Sequence, residues 1–235
     1  MDEVGEAAAA GAIAVLPVGA TEQHGPHLAT GTDTLLADHV ADAAAQRTGD
    51  VVLPALAYGC SLGHTDHWPG TISLLPATMT AVVVETGRWI HASRFRKLVI
   101  VNGHATNGPP CQSAILQLRH ELPDLRPRFV SIFDITPEIA ARYTDDAADF
   151  HANEAETSML LELAADHVRP ERARDEPDRT VGRVLSYAMP AVTRSGVVGT
   201  PSAASAERGA ALLDQLVHAL AALLEQARAE HDPEF

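Results

Sequence analysis

Three short segments carry most of the side chains able to do chemistry. TEQHGPHLATGTD, residues 21–33, holds Glu22, His24, His27 and Asp33 and follows the apolar run IAVLPV at 13–18. VNGHATN, residues 101–107, places His104 in a turn made tight by Asn102 and Gly103, directly after LVIV at 98–101. HANEAETS, residues 151–158, adds His151, Glu154 and Glu156 at the start of a predicted helix. Imidazole and carboxylate donors without thiolates suit Zn²⁺, Mn²⁺ or Fe²⁺, and this supply exceeds what one tetrahedral ion takes. Two ions bridged by a carboxylate are therefore expected. Such a pair activates a bridging water and polarises a carbonyl, so hydrolysis is the reaction it serves best.

Taken singly, each residue has a plainer reading. Asp33, before a helix beginning near Thr34, is a good N-cap candidate. A histidine after a strand is commonly a satisfied turn residue, and Glu154 and Glu156 are favoured near a helix N-terminus by the macrodipole alone. The joint occurrence is what points to metal.

The elements that must position these residues follow from the apolar pattern. Runs at 13–18, 51–53, 98–101 and 129–133 are rich in Val, Ile and Phe and bounded by turn residues, which predicts buried strands. Helical spacing covers Thr34 to Ala45, Met79 to Ser93 and Asn107 to Leu122, where Pro109 and Pro110 suit a first turn, then Glu154 to Ala165 and Ala203 to Ala229. Alternating strands and helices predict an α/β fold: a three-layer sandwich with a mainly parallel central sheet flanked by helices, formed as one domain over 1–235. Loops at the carboxyl ends of such strands converge, so the segments after 13–18 and 98–101 are expected to share one space. The charged stretch at 169–179 (RPERARDEPDR) reads as an exposed connector.

Composition excludes several functions. The chain has 235 residues, 46% of them hydrophobic, and a formal net charge of -14, which argues against gripping nucleic acid or an anionic membrane. No apolar stretch approaches the roughly 20 residues of a spanning helix, and no basic, hydrophobic leader opens the chain, so a cytoplasmic location is expected. Cys60 and Cys111 are expected to be reduced thiols, at least one of them buried. Neither has a motif supporting a nucleophilic role.

PVGATEQHGPHL with a downstream TD, PGTISL, NGH followed by ATN, HA with ETS, and SGVVGTPSAASAERG together resemble the creatininase family of metal-dependent amidohydrolases, from about residue 13 to 212. The resemblance implies an α/β fold with a binuclear centre at the carboxyl edge of the sheet. It implies Glu22, Asp33 and His104 on one ion and His24, Asp33 and Glu156 on the other, with Asp33 bridging. It places His151 to contact the substrate or move a proton; Glu154, a carboxylate three residues on, is a further candidate for the same acid–base work by its position alone. His64, Trp68 and Thr106 are the implied substrate-pocket residues, His27 is not counted as a ligand, and a homohexamer is the implied assembly. Two departures set the chain apart: Thr106 stands where creatinine-hydrolysing members carry glutamate, and no tryptophan lies between residues 90 and 235.

The expected function is hydrolysis of a carbon–nitrogen bond in a small, cyclic amide or formamide by a metal-bridging hydroxide, with two divalent ions per subunit. A metal-dependent peptidase trimming a small precursor peptide, as family members do for mycofactocin, is the alternative. A metal-binding protein without turnover is the remaining one.

Overall fold

The computed structural model describes residues 2–233. Its elements run, in chain order, α1 (Asp2–Ala9), β1 (Ala14–Val18), α2 (Thr32–Thr48), β2 (Val51–Val52), α3 (Pro76–Ala92), β3 (Lys97–Asn102), α4 (Gly108–Glu121), β4 (Arg126–Ser131), α5 (Pro137–Tyr143), α6 (Glu154–Leu163), α7 (Met189–Val192) and α8 (Ala206–Ala229). Four strands form one sheet in the order β2-β1-β3-β4, every pair parallel.

Side chains of a strand leave alternately to its two faces, and both faces here are covered. Ile13, Val15, Val99, Val101 and Val130 pack with the helices on one side, where Leu36, Val40, Met159, Leu212, Leu216 and Leu220 meet them. Ala14, Leu16, Val18, Leu98 and Ile100 pack on the other side against Met79, Val83, Ile90, Cys111, Ile115 and Leu118. Continuous apolar strands are thus the signature of a sheet buried on both faces. The three-layer α/β architecture is the expected one.

The chain leaves β1 toward β2 on one side, whereas β3 lies on β1's other side. α2, which follows β1, and α4, which follows β3, accordingly lie on opposite faces of the sheet, and a crevice opens between the loops that lead to them. Close backbone approach fixes the two loops together: a Cβ on Gly103 would sit 2.3 Å from the Asp33 carbonyl oxygen.

Several boundaries differ from the sequence reading. β4 begins at Arg126, and residues 132–134 turn into a short 3₁₀ segment. α2 is entered from Gly31 without a side-chain cap, so Asp33 is no N-cap; it lies inside the first turn with its carboxylate turned to the crevice. α1 and α5 were not anticipated. Both cysteines are free and buried.

Candidate metal centre

The crevice gathers the expected residues. From the loop after β1 come Glu22 and His24, and from the first turn of α2 comes Asp33, all nearly inaccessible to solvent. Asn102 at the end of β3 receives the His104 backbone N–H on Oδ1 at 3.1 Å and donates Nδ2–H to the His104 carbonyl at 2.8 Å. That clamp holds His104 over β1. Asn153 caps α6 by accepting the Glu156 N–H at 3.2 Å, which sets the Glu156 carboxylate at the same crevice. Ala152 adopts a left-handed φ of 49°, and this tight bend lets α6 start directly after His151.

Two triads close within 4.8 Å: Glu22, Asp33 and His104, and His24, Asp33 and Glu156, sharing Asp33. A third grouping, Glu22, His24 and His151, closes as well. His24 Nε2 is 3.0 Å from Asp33 Oδ1 and 3.9 Å from Glu156 Oε1. His104 Nδ1 is 3.1 Å from Asp33 Oδ2, and its Nε2 is 3.3 Å from Glu22 Oε2.

The fit to a metal is tested by the atoms left over. Glu22 Oε2, His24 Nε2, Asp33 Oδ2 and Glu156 Oε2 are all buried and lack a hydrogen-bond partner. Buried polar atoms are almost always paired, since leaving one unpaired costs about 1–3 kcal/mol. Four orphaned donor atoms facing one crevice fit divalent ions.

Electrostatics of the metal-free protein agree. Burial disfavours charge on His24, yet the Asp33 carboxylate outweighs it and raises its pKa to about 10. Burial likewise opposes charge on His104, and Glu22 and Asp33 raise it to about 9. Glu22, despite burial, is held down to about 2 by His104 and by a hydrogen bond from His151, and Asp33 is pulled below the usual carboxylate range by His24 and His104 against its own burial. Glu156 is pushed up by burial, which outweighs the nearby His24 and His151. The carboxylates demand positive charge, and protons on imidazole supply it when metal does not.

Above the triads lies a cavity of ≈ 170 Å³ lined by His64, Thr106, Phe133, Asp149, Phe150, His151, Tyr187 and Met189 besides the cluster itself. His151 Nδ1 donates to the Gly196 carbonyl at 2.6 Å, and its Nε2 is 2.8 Å from Glu22 Oε1. His64 lowers to about 3, through burial and then the neighbouring His151.

Other expected residues stand elsewhere. Glu154 does not line the cavity: its carboxylate accepts from Arg142, Arg208 and Ser158 at 3.2, 2.9 and 2.6 Å. A carboxylate so engaged is held away from the cavity, which the acid–base role expected for it would require it to reach. Trp68 lies behind His64, ring centroids 6.5 Å apart, and packs with Met189 and Val192 rather than lining the cavity. Thr106 lines the cavity, but its hydroxyl lies 2.6 Å from His104 Nε2 and also meets the Cys60 carbonyl. His27 Nε2 contacts the Thr157 hydroxyl at 2.9 Å, beside Glu156 and outside all three groupings.

The expectation that the chain has no G-x-S-x-G elbow, and so no serine chemistry, does not hold at the level of sequence: GCSLG at 59–63 has that spacing. Ser61 Oγ lies 3.2 Å from His104 Nε2, with Asp33 beyond, so the outline of a serine triad exists. The hydroxyl is nonetheless fully buried and absent from the cavity lining, and no strand-to-helix elbow raises it toward a substrate. Gln23, Phe133, Phe150 and Tyr187 were also missed. Gln23 alone had a signal, standing between two of the expected ligands.

A second groove of ≈ 790 Å³ opens at the amino-terminal end of β3 and β4, lined by Lys97, Arg119, Arg126 and Arg128. Among the described residues it contains none of the metal-competent groupings. The metal-competent groupings lie at the carboxyl edge instead.

Comparison with known proteins agrees with this geometry. The family model described as creatininase, creatinine amidohydrolase, matches residues 1–224. The chain belongs to the creatininase family. Among creatininase relatives, the mycofactocin precursor peptide peptidase of Mycolicibacterium smegmatis is 34% identical over 218 residues, covering 88% of this chain and 82% of its own. The creatinine amidohydrolase of Pseudomonas putida is 32% identical over 231 residues, covering 91% and 89%. A solved structure of creatininase with Mn superposes with a TM-score of 0.85 at 30% identity, covering 97% of this chain and 96% of that one. Creatininase-family proteins are metal-dependent amidohydrolases, and this chain brings together residue groups that could hold a metal ion.

Proposed function

We propose that this protein hydrolyses a carbon–nitrogen amide bond in a small substrate held above the shared Asp33. The observation that carries the reading is the convergence of Glu22 Oε2, His24 Nε2, Asp33 Oδ2 and Glu156 Oε2, buried and unpaired, in two triads with a common carboxylate. Glu22, Asp33 and His104 would hold one divalent ion and His24, Asp33 and Glu156 the other; their borderline nitrogen and oxygen donors suit zinc, manganese or iron(II). When bound, the ions supply Lewis acidity and an activated water.

The chain's own groups do the rest. His151 is held with Nδ1 on the Gly196 carbonyl and Nε2 beside Glu22 Oε1 at the cavity wall. Nε2 is so placed to move a proton to the departing nitrogen. Phe133, Phe150 and Met189 keep bulk water from the remaining wall. A cavity of ≈ 170 Å³ encloses a small ring or one residue's worth of atoms, well below the space a drug-sized ligand fills.

One observation favours a peptide as substrate. Tyr187 lines the cavity, and on its own segment Val181, Val184 and Leu185 are exposed, Val184 at 97%. This apolar strip gives a chain running out of the cavity something to lie on, and the peptidase among the relatives supports the same reading. The test is turnover by zinc- or manganese-loaded protein of creatinine, other cyclic amides, formamides and short peptides. Activity abolished by chelator and restored by metal, but indifferent to serine-directed acylating reagents, is expected. Loss of activity to the serine reagent with metal intact would return the case to Ser61.

A further inference from the structure

Gln23 stands between Glu22 and His24, and its side chain turns away from theirs into a separate network. Its Oε1 accepts the Gly25 backbone N–H at 2.9 Å. Its Nε2 donates to the Gly196 carbonyl at 3.4 Å and lies 2.9 Å from His64 Nδ1. Because Gly25 N–H requires an oxygen, the two ends of the amide are assigned. Nε2 is then a donor only, and His64 Nδ1 must accept from it. The ring proton of His64 is consequently on Nε2.

That nitrogen faces the reacting space. It lies 3.8 Å from Glu22 Oε2, His64 lines the cavity, and its ring centroid is 4.6 Å from that of His151. The network is tightly built: Gly196 adopts φ 83°, and a Cβ there would lie 1.9 Å from Gln23 Oε1. The loop is shaped around this amide.

Resting on the hydrolytic reading above, we propose that His64, held by Gln23 as the Nε2–H tautomer, donates a hydrogen bond to the substrate's carbonyl oxygen as negative charge develops there, with Gln23 as its positioning residue. The ring cannot act as a base toward the cavity, since its lone pair is taken by Gln23 and its proton faces inward. His64 and His151, neighbours on one wall, thus have different tasks. Both are set by the Gly196 carbonyl, which takes the proton of His151 Nδ1 directly and orients Gln23 toward His64. A fixed donor aimed at a developing oxyanion is worth about 10²–10³ in kcat.

Two measurements on the metal-loaded protein test this. In long-range ¹H–¹⁵N spectra, His64 is expected as the Nε2–H tautomer between about pH 6 and 8, giving way to mixed tautomers in Gln23→Met, which keeps side-chain length but has no donor. With the amide panel above, His64→Ala is expected to keep both metals and lose about 10²-fold in kcat with KM changed less than ~3-fold, while His64→Gln, still a donor, recovers part of the loss. An Nδ1–H or doubly protonated His64 in the wild type, or an unchanged kcat in His64→Ala with metals retained, overturns the proposal alone. A wild type inert to every amide overturns the hydrolytic reading, and the proposal with it.

Discussion

His104 Nδ1 and Asp33 Oδ2 approach to 3.1 Å, an ion-pair contact at a carboxylate oxygen buried from solvent. His24 and Asp33 Oδ1 stand 3.0 Å apart on the other side, so Asp33 alone serves both triads.

Replacing Asp33 should therefore differ in kind from replacing any other ligand. Asp33→Ala is expected to lose both ions and lower kcat/KM by at least about 10³-fold, as removal of a metal's chemistry does. His104→Ala or Glu156→Ala should each lose roughly one equivalent. Elemental analysis after gel filtration decides it, and two equivalents retained in Asp33→Ala would remove the bridge.

Metal binding should release protons. In the metal-free protein His24 and His104 have pKa values raised to about 10 and about 9, so at neutral pH both rings carry a proton that a bound ion must displace. Affinity should accordingly rise with pH up to these values. The same raised values mean that the imidazolium–carboxylate contacts stabilise the metal-free fold fully below the unfolded value near 6.5 and fade as pH rises through about 9 to 10. Zinc titration calorimetry in buffers of different ionisation enthalpy should show up to about two protons released per protein; none released would mean neutral rings.

The parts of the fold visible in the sequence are those set by one-dimensional patterns. Continuous apolar runs announced the doubly covered strands, and Pro109 with Pro110 announced the start of α4. That Glu22, His24, Asp33 and His104 share one crevice was legible because the loops after adjacent strands of an α/β sheet meet at its carboxyl edge, whereas the place of Glu156 among the ligands came only through the family resemblance. What failed depended on partners distant in sequence. Glu154 and Glu156 share the first turn of α6, and Arg142 from α5, Arg208 from α8 and Ser158 engage Glu154. Trp68 packs against Met189 and Val192, partners that its own segment does not announce. The role of Gln23 needed Gly196, 173 residues away.

Glu154→Gln tests that separation. Its carboxylate is buried, but Arg142 and Arg208 remain partly solvated, which limits the cost of removing the charge. A loss of about 1–2 kcal/mol in unfolding free energy is expected, with metal content and kcat within ~3-fold of the wild type. A large fall in kcat at unchanged stability and metal content would restore Glu154 to the chemistry.

Glu176 lies in the stretch expected to be only a charged connector, yet it ties down the loop that carries Gly196. Its carboxylate accepts from Ser195 N–H at 2.7 Å, Arg194 N–H at 3.1 Å and Arg179 at 2.9 Å, and its backbone exchanges two hydrogen bonds with Gly199 at 3.0 and 2.8 Å. Burial raises its pKa, but these donors prevail and hold it at about 2. A lowered folded-state pKa gives stability that is present above the unfolded value of about 4.5 and is lost as pH falls through 2. Acid should thus loosen this loop before the sheet. Because Gly196 O receives the proton of His151 Nδ1, Glu176→Gln should lower kcat at neutral pH by about 10-fold without loss of metal, as supporting residues of a site commonly do. Hydrogen exchange should show faster exchange at 194–199 in the variant at pH 7, and in the wild type between pH 4.5 and 2; unchanged protection in both would mean that the loop is held by its backbone ladder alone.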